Sequence, residues 1–297
     1  MLIDTSSIEY AEFAVALLTG EDRHYHIPVT PAVTNELTQM LKDTLDKLGE
    51  PSTWETFDCA EQYGSIAPVK CSVDDPVAAK LKSLITAENI PVSADALSYP
   101  SKLDFYFAKL RDKHKNECVG VRRASYFKRT IGKKLMHILN GQLDLITDNV
   151  FKLDPDFDLI IFPDTVAILR PTQFEWIADL EAELIKVAPG HVHAVAAAVP
   201  FLSLDFAIEF VKVSARGRRL FAAIRARNDI SGLSADRFRK ACEATEVELI
   251  EVGGKLSPRP KHEIKFLELL DRRLYPDPLA DQQADTYRAA SRKKVAP

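Results

Sequence analysis

Apolar residues change their spacing several times along this chain, and each spacing predicts a different element. Tyr10, Phe13, Ala14, Leu17 and Leu18 recur at helical intervals behind Ser6 and Ser7, which predicts a capped helix ending near Gly20. The run from His24 to Val33 predicts a strand broken by prolines. Leu37, Leu41, Leu45 and Leu48 predict an amphipathic helix over 35–48, stopped by Gly49 and Pro51. Alternation from Ile66 to Cys71 predicts a strand, and Asp75-Pro76 opens a helix carrying Val77, Leu81, Leu84 and Ile85. Two prolines and three serines between Glu88 and Leu103 mark a linker near 90–101.

Beyond that linker, Phe105–Leu110 and Cys118–Arg122 predict strands around a charged turn. Arg129–Leu139 predicts a helix stopped by Gly141. Two short apolar runs, Leu159–Phe162 and Val166–Leu169, flank Pro163-Asp164 and predict a strand pair. Thr172 and Glu175 have the spacing of a capping box for the helix that follows. Further helices are predicted over 194–200, 205–227, 235–244 and 262–274. A strand over 247–252 and a Gly253-Gly254 turn fall between the last two. The fold class read from this pattern is α+β: a mixed β-sheet with several packed helices. It divides into an N-terminal α/β region, 1–100, and a larger C-terminal region, 101–297.

A hydrophobic fraction of 46% and a charged fraction of 28% belong to an ordinary soluble globular chain. The start carries acids where a signal peptide needs an apolar core, and the longest apolar stretch, Val192 to Ile208, is interrupted by His193, Pro200 and Asp205. Cys59, Cys71, Cys118 and Cys242 lack CxxC spacing and fit reduced cytoplasmic thiols. A cytoplasmic location is therefore expected. Net charge is only −4, yet it is unevenly spread. Residues 1–63 hold twelve acids against three bases, 102–134 eleven bases against three acids, and 212–240 nine bases against two acids. Such separation points to distinct surfaces for distinct partners.

Catalytic signals are weak. VGGKLS at 252–257 lacks the first glycine of a phosphate-binding loop and a helix behind it. His24/His26 and His191/His193 each offer two imidazoles without a third ligand at a recognised spacing. A metal-dependent nuclease could draw on Asp158 and Asp164, but no Glu-x-Lys follows on the next strand. No catalytic set, metal site or cofactor is read from the sequence. The basic segments remain: Arg122, Arg123, Lys128, Arg129, Lys133 and Lys134, interleaved with Tyr126 and Phe127, and then Lys212, Arg216, Arg218, Arg219, Arg225 and Arg227. Cations so placed can neutralise successive phosphates of double-stranded DNA, with backbone-directed binding of weak sequence selectivity. Reversing Arg216, Arg218 and Arg219 to Glu is then expected to abolish duplex binding and spare the fold. A protein–protein adaptor, its acidic and basic regions pairing across subunits, is the non-catalytic alternative.

A scattered set of residues gives the chain a family resemblance. It comprises Gly141-Gln142-Leu143-Asp144, Val150-Phe151-Lys152-Leu153, Phe157-Asp158, the strand pair, Phe174-Glu175, the Phe266–Asp271 stretch and the Tyr287–Lys293 segment. Together they resemble the KwaB family, the soluble component of the Kiwa anti-phage defence system. The resemblance covers residues 100–294 and rests on apolar positions and caps. It implies a DNA-binding effector that acts with a membrane-embedded KwaA-like partner at the inner membrane and interferes with phage DNA replication or transcription. A homodimer or higher homo-oligomer is expected. The family supplies no catalytic residues to carry over.

Overall fold

The computed structural model describes residues 3–17, 23–86, 90–92, 103–124, 136–139, 142–145, 153–227, 229–276 and 286–289. The architecture is α+β, and the chain forms two compact units. One comprises residues 1–57 and 63–180, the other 58–62 and 181–297. The linker expected near 90–101 falls mostly outside the described residues. Strands on either side of it share one sheet.

That sheet is eight-stranded and fills the first unit in the order β2-β1-β5-β6-β9-β10-β4-β3. In chain order its strands are β1 (Ile8–Leu17), β2 (Arg23–Ile27), β3 (Glu55–Thr56), β4 (Val69–Ser72), β5 (Leu103–Asp112) and β6 (Glu117–Arg123). A separate hairpin, β7 (Met136–Leu139) with β8 (Gln142–Leu145), comes next, then β9 (Leu159–Ile161) and β10 (Thr165–Ile168). Neighbours in the large sheet are antiparallel except β3 and β4. Helices α1 (Pro31–Leu48), α2 (Ala79–Thr86) and α3 (Pro171–Ile177) accompany the sheet. Thr30 caps α1 through its side chain, Pro31 fixes the first turn, and Gly49 ends it at φ 67°.

The helix predicted over 10–18 is a strand. From Phe13 to Ala16 every residue is buried, so the polar half of a strand's alternation is missing and a helical spacing fits by accident. On the α1 side Phe13, Val15, Tyr106, Ala108, Leu110 and Ile160 pack with Leu37, Leu41 and Leu48. Phe105, Phe107 and Val121 are equally buried on the opposite face. Gly120 is required in this packing: a Cβ there would sit 2.6 Å from the ring of Phe157. Two further expectations need correcting. The predicted helix over 129–139 ends in a strand, β7, with 125–135 outside the described residues. The Thr172/Glu175 capping box does not form, because Pro171 sets the first turn of α3 one residue earlier, with Arg170 as its N-cap.

The second unit is mainly helical. It contains α4 (Leu180–Ala198), α5 (Leu204–Val213), α6 (Ala215–Arg225), α7 (Ala235–Ala244) and α8 (Glu263–Leu270), with the hairpins β11 (Leu249–Val252)–β12 (Lys255–Pro258) and β13 (Leu274–Pro276)–β14 (Thr286–Arg288). Helix α4 runs straight through Pro189, where a start near Ala194 was expected. Its buried stripe of Leu184, Ala188, Val192 and Val195 continues across the proline, and that burial offsets the missing hydrogen bond. The single helix expected over 205–227 is two. Ser214 leaves α5 in an extended conformation and caps α6 by accepting from Gly217 N at 3.0 Å. Phe206 and Phe238 meet Phe266 edge-on at 5.7 and 5.1 Å in a core shared with Val195, Leu220, Phe221, Ile224 and Leu267. Among the described residues no helix is long and apolar enough to cross a membrane.

Candidate nucleic-acid interface

Arg122 and Arg123 end β6, and successive residues of a strand point to opposite faces. Arg122 turns inward and is 4% exposed. Its Nη1 donates to Asp158 Oδ1 at 2.8 Å and Asp156 Oδ1 at 3.0 Å, and its Nε lies 3.4 Å from Asp154 Oδ2. All three carboxylates come from one run, Leu153-Asp154-Pro155-Asp156-Phe157-Asp158, and all three are buried. Arg170, between β10 and α3, donates to Asp156 Oδ2 at 2.9 Å and to the carbonyl of Phe157 at 3.0 Å. Lys47 of α1 donates to Asp156, and Tyr106 OH to Asp154 at 3.2 Å. Thr44 Oγ1 accepts from Phe157 N at 2.8 Å. Three acids thus meet three bases inside the first unit.

The two central carboxyls respond differently. Burial pushes Asp158 up, although Arg122, the Arg123 N–H and Arg170 all pull against it. Burial acts on Asp156 in the same sense, but hydrogen bonds from Arg170 and Lys47 outweigh it and leave that group below its usual range. The network cements the sheet and leaves Arg122 no access to an external phosphate. It also weakens the nuclease alternative, because Asp158 already holds two guanidiniums. Asp164 sits exposed in the β9–β10 turn, with all of β9 between it and Asp158. No group of three or more His, Cys, Asp or Glu among the described residues could hold a metal ion.

Arg123 faces the other way. Its guanidinium carbon lies 4.2 Å from the ring centroid of Trp176, and its Nη1 donates to Gln173 Oε1 at 3.3 Å. No carboxylate among the described residues pairs with that guanidinium. Trp176 is 61% exposed.

In the second unit, most of the expected phosphate contacts bond inward. Arg218 is 8% exposed, donating to Glu181 Oε1 at 2.9 Å and to the Val211 carbonyl near the end of α5 at 2.6 Å. Arg216 and Arg219 donate to the carbonyls of Ala60 and Cys59 at 2.5 and 2.9 Å, fastening the 58–62 segment. Arg227 caps α8 at the Leu270 carbonyl, 2.8 Å, and meets Asp229 at 2.9 Å. Only Lys212 and Arg225 of this group are exposed, Lys212 beside Glu209 at 2.6 Å and Arg225 beside His191 Nε2 at 3.2 Å. Lys128, Arg129, Lys133 and Lys134 lie outside the described residues.

Two features escaped the sequence reading. The Asp154-x-Asp156-x-Asp158 run signals a buried counter-charge, because Arg122 follows the apolar Cys118–Val121 stretch of its strand. Trp176 lies off the Pro171–Phe174–Ile177 stripe that α3 buries, and a helical wheel would have placed it outside. No family model, no curated protein and no solved structure matches this chain.

Proposed function

We propose that the chain is a non-catalytic effector of anti-phage defence that binds double-stranded DNA through backbone phosphates, with weak sequence selectivity. In this reading it acts as a homo-oligomer with a KwaA-like inner-membrane protein to block phage DNA replication or transcription. The observation that supports it best is Arg123. It opens the 123–134 run of bases with its guanidinium turned from the buried network and free of any described carboxylate. Lys212 and Arg225 are the other described contacts. Exposed i,i+3 pairing of Lys212 with Glu209 is worth little and yields readily to a phosphate.

Fluorescence anisotropy of a labelled duplex across a salt series tests the reading. A steep negative log–log slope is expected. Replacing Arg123, Lys212 or Arg225 singly by Glu should weaken all sequences alike, each reducing the slope by about 1. Weak binding with a flat slope would remove DNA from the proposal.

A further inference from the structure

The Arg123–Trp176 pair has a geometry that phosphate tracking alone does not need. Helix α3 buries Pro171, Phe174 and Ile177, so the indole projects from a helix whose opposite stripe is fixed in the core. Arg123 is equally constrained. Its backbone N–H donates to Asp158 Oδ2 at 2.8 Å, and its Nη1 to Gln173. The guanidinium covers one face of the indole at 4.2 Å. Trp176 is nevertheless 61% exposed, so much of its surface meets solvent. A preorganised aromatic surface therefore stands beside a cation whose other guanidinium N–H groups meet no acceptor among the described residues. A nucleotide combines the two complementary groups, a planar base and an anionic phosphate, at similarly short range.

We infer that Trp176 and Arg123 form a stacking platform for one unpaired nucleobase, so that the protein engages single-stranded or locally opened DNA as well as duplex. The base lies on the open part of the indole, and Arg123 keeps its cation–π contact while donating to the adjacent phosphate. This rests on the nucleic-acid reading above and extends it to a base contact that is sequence-tolerant, because every base offers a π-face. The preference is for strands with flexible, unstacked bases. A fully paired duplex cannot present one without opening.

Intrinsic fluorescence tests this directly, because the chain has two tryptophans and the other, Trp54, is 4% exposed with its Nε1 donating to the Leu48 carbonyl at 2.9 Å. The probes are an oligothymidylate, an abasic strand of the same length and the matching duplex. Oligothymidylate should quench the emission, and the abasic strand should bind more weakly without quenching. Trp176→Ala should abolish the quenching and weaken oligothymidylate binding about tenfold, while Trp176→Phe retains most of the affinity. Trp176 is exposed, so circular dichroism of both variants should match the parent. Equal affinity for the oligothymidylate and abasic strands overturns the platform, as does an unchanged Trp176→Ala variant. Duplex binding retained with no quenching by the oligothymidylate overturns the platform alone. Loss of all nucleic-acid binding overturns the phosphate reading with it. An emission change that follows protein concentration and no nucleic acid assigns the indole to contact between copies of the chain.

Discussion

The two units bury arginine in opposite ways. In the first, Arg122 is enclosed by carboxylates that arrive together on one short run, 154–158, so charge answers charge at a single point in the sheet. In the second, Arg216, Arg218, Arg219 and Arg227 each donate to a main-chain carbonyl, at a helix end or along 58–62, and the carboxylates that Arg216, Arg218 and Arg227 meet, Glu268, Glu181 and Asp229, come from separate segments. A guanidinium serves both arrangements because its planar fork carries five donors and stays charged when enclosed. The lesson concerns charge counting. A run of bases gives the residue type but not the partner, and burial decides which charges remain for a ligand.

The largest expected effect is in the second unit. Reversing Arg216, Arg218 and Arg219 together to Glu sets three carboxylates against buried carbonyls and against Glu181 and Glu268. The variant should lose its helical far-UV signal, so its failure to bind DNA would report unfolding and not a lost interface. Retention of the parent signal and denaturation midpoint would show these arginines to be dispensable to the fold. Next comes Asp158→Ala in the first unit, which takes one of three carboxylates from Arg122 and the acceptor from the Arg123 N–H. Breaking a buried pair by removing one partner costs about 3–5 kcal/mol. Tryptophan emission during denaturant unfolding is the readout, since Trp54 and Trp176 both belong to this unit.

A smaller effect sharpens the contrast. Asp156 and Asp158 share Arg122 and Arg170, so the Asp156→Asn and Asp158→Asn changes should couple by about 0.5–3 kcal/mol in a double-mutant cycle. Arg218 lies in α6 about 10 Å along the axis from its last residue, Arg227 follows two positions beyond that end, and their described partners differ. Their Gln variants should add within about 0.5 kcal/mol. Comparable coupling in both cycles would erase the distinction between a concentrated and a dispersed network.

Legibility in the sequence follows the same line. Strands β5, β6, β9 and β10 and helix α7 were readable, because their apolar spacing is uninterrupted and their turns carry proline, glycine or charge. Strand β1 was not, since two-faced burial removes alternation. Helix α4 was masked by Pro189, and the α5–α6 break rests on a single serine cap inside a continuous apolar pattern. Of the expected contacts among the described residues, Lys212 and Arg225 are exposed, and Arg123 is half-buried with its guanidinium turned from the buried network. Arg122 and Arg218 look no different in sequence yet are enclosed, because their partners lie 34 and 37 positions away.

The smallest effect is on the acid limb of the first unit. Asp112 accepts from Asp4 N, His114 N and Asn116 at the β5–β6 turn, and Asp4 accepts from Ser6 and Ser7. Burial alone would raise Asp112, but its four donors outweigh it. The serine bonds act first on Asp4. Both groups end at about 2. A carboxyl depressed in the folded state adds stability that is present above its unfolded value, about 3.9, and is lost as pH falls toward about 2. Asp158 has the opposite sign. Its raised carboxyl takes a proton earlier in the folded chain, so acidification from neutrality first favours the native state through this group. Denaturant midpoints read by tryptophan emission should therefore hold or rise slightly on acidification and then fall below about pH 4. Asp158→Asn should remove the early rise and leave the fall, whereas Asp112→Asn should flatten the fall. A parent midpoint that drops steadily from neutrality would mean that the enclosing cations, not burial, govern Asp158.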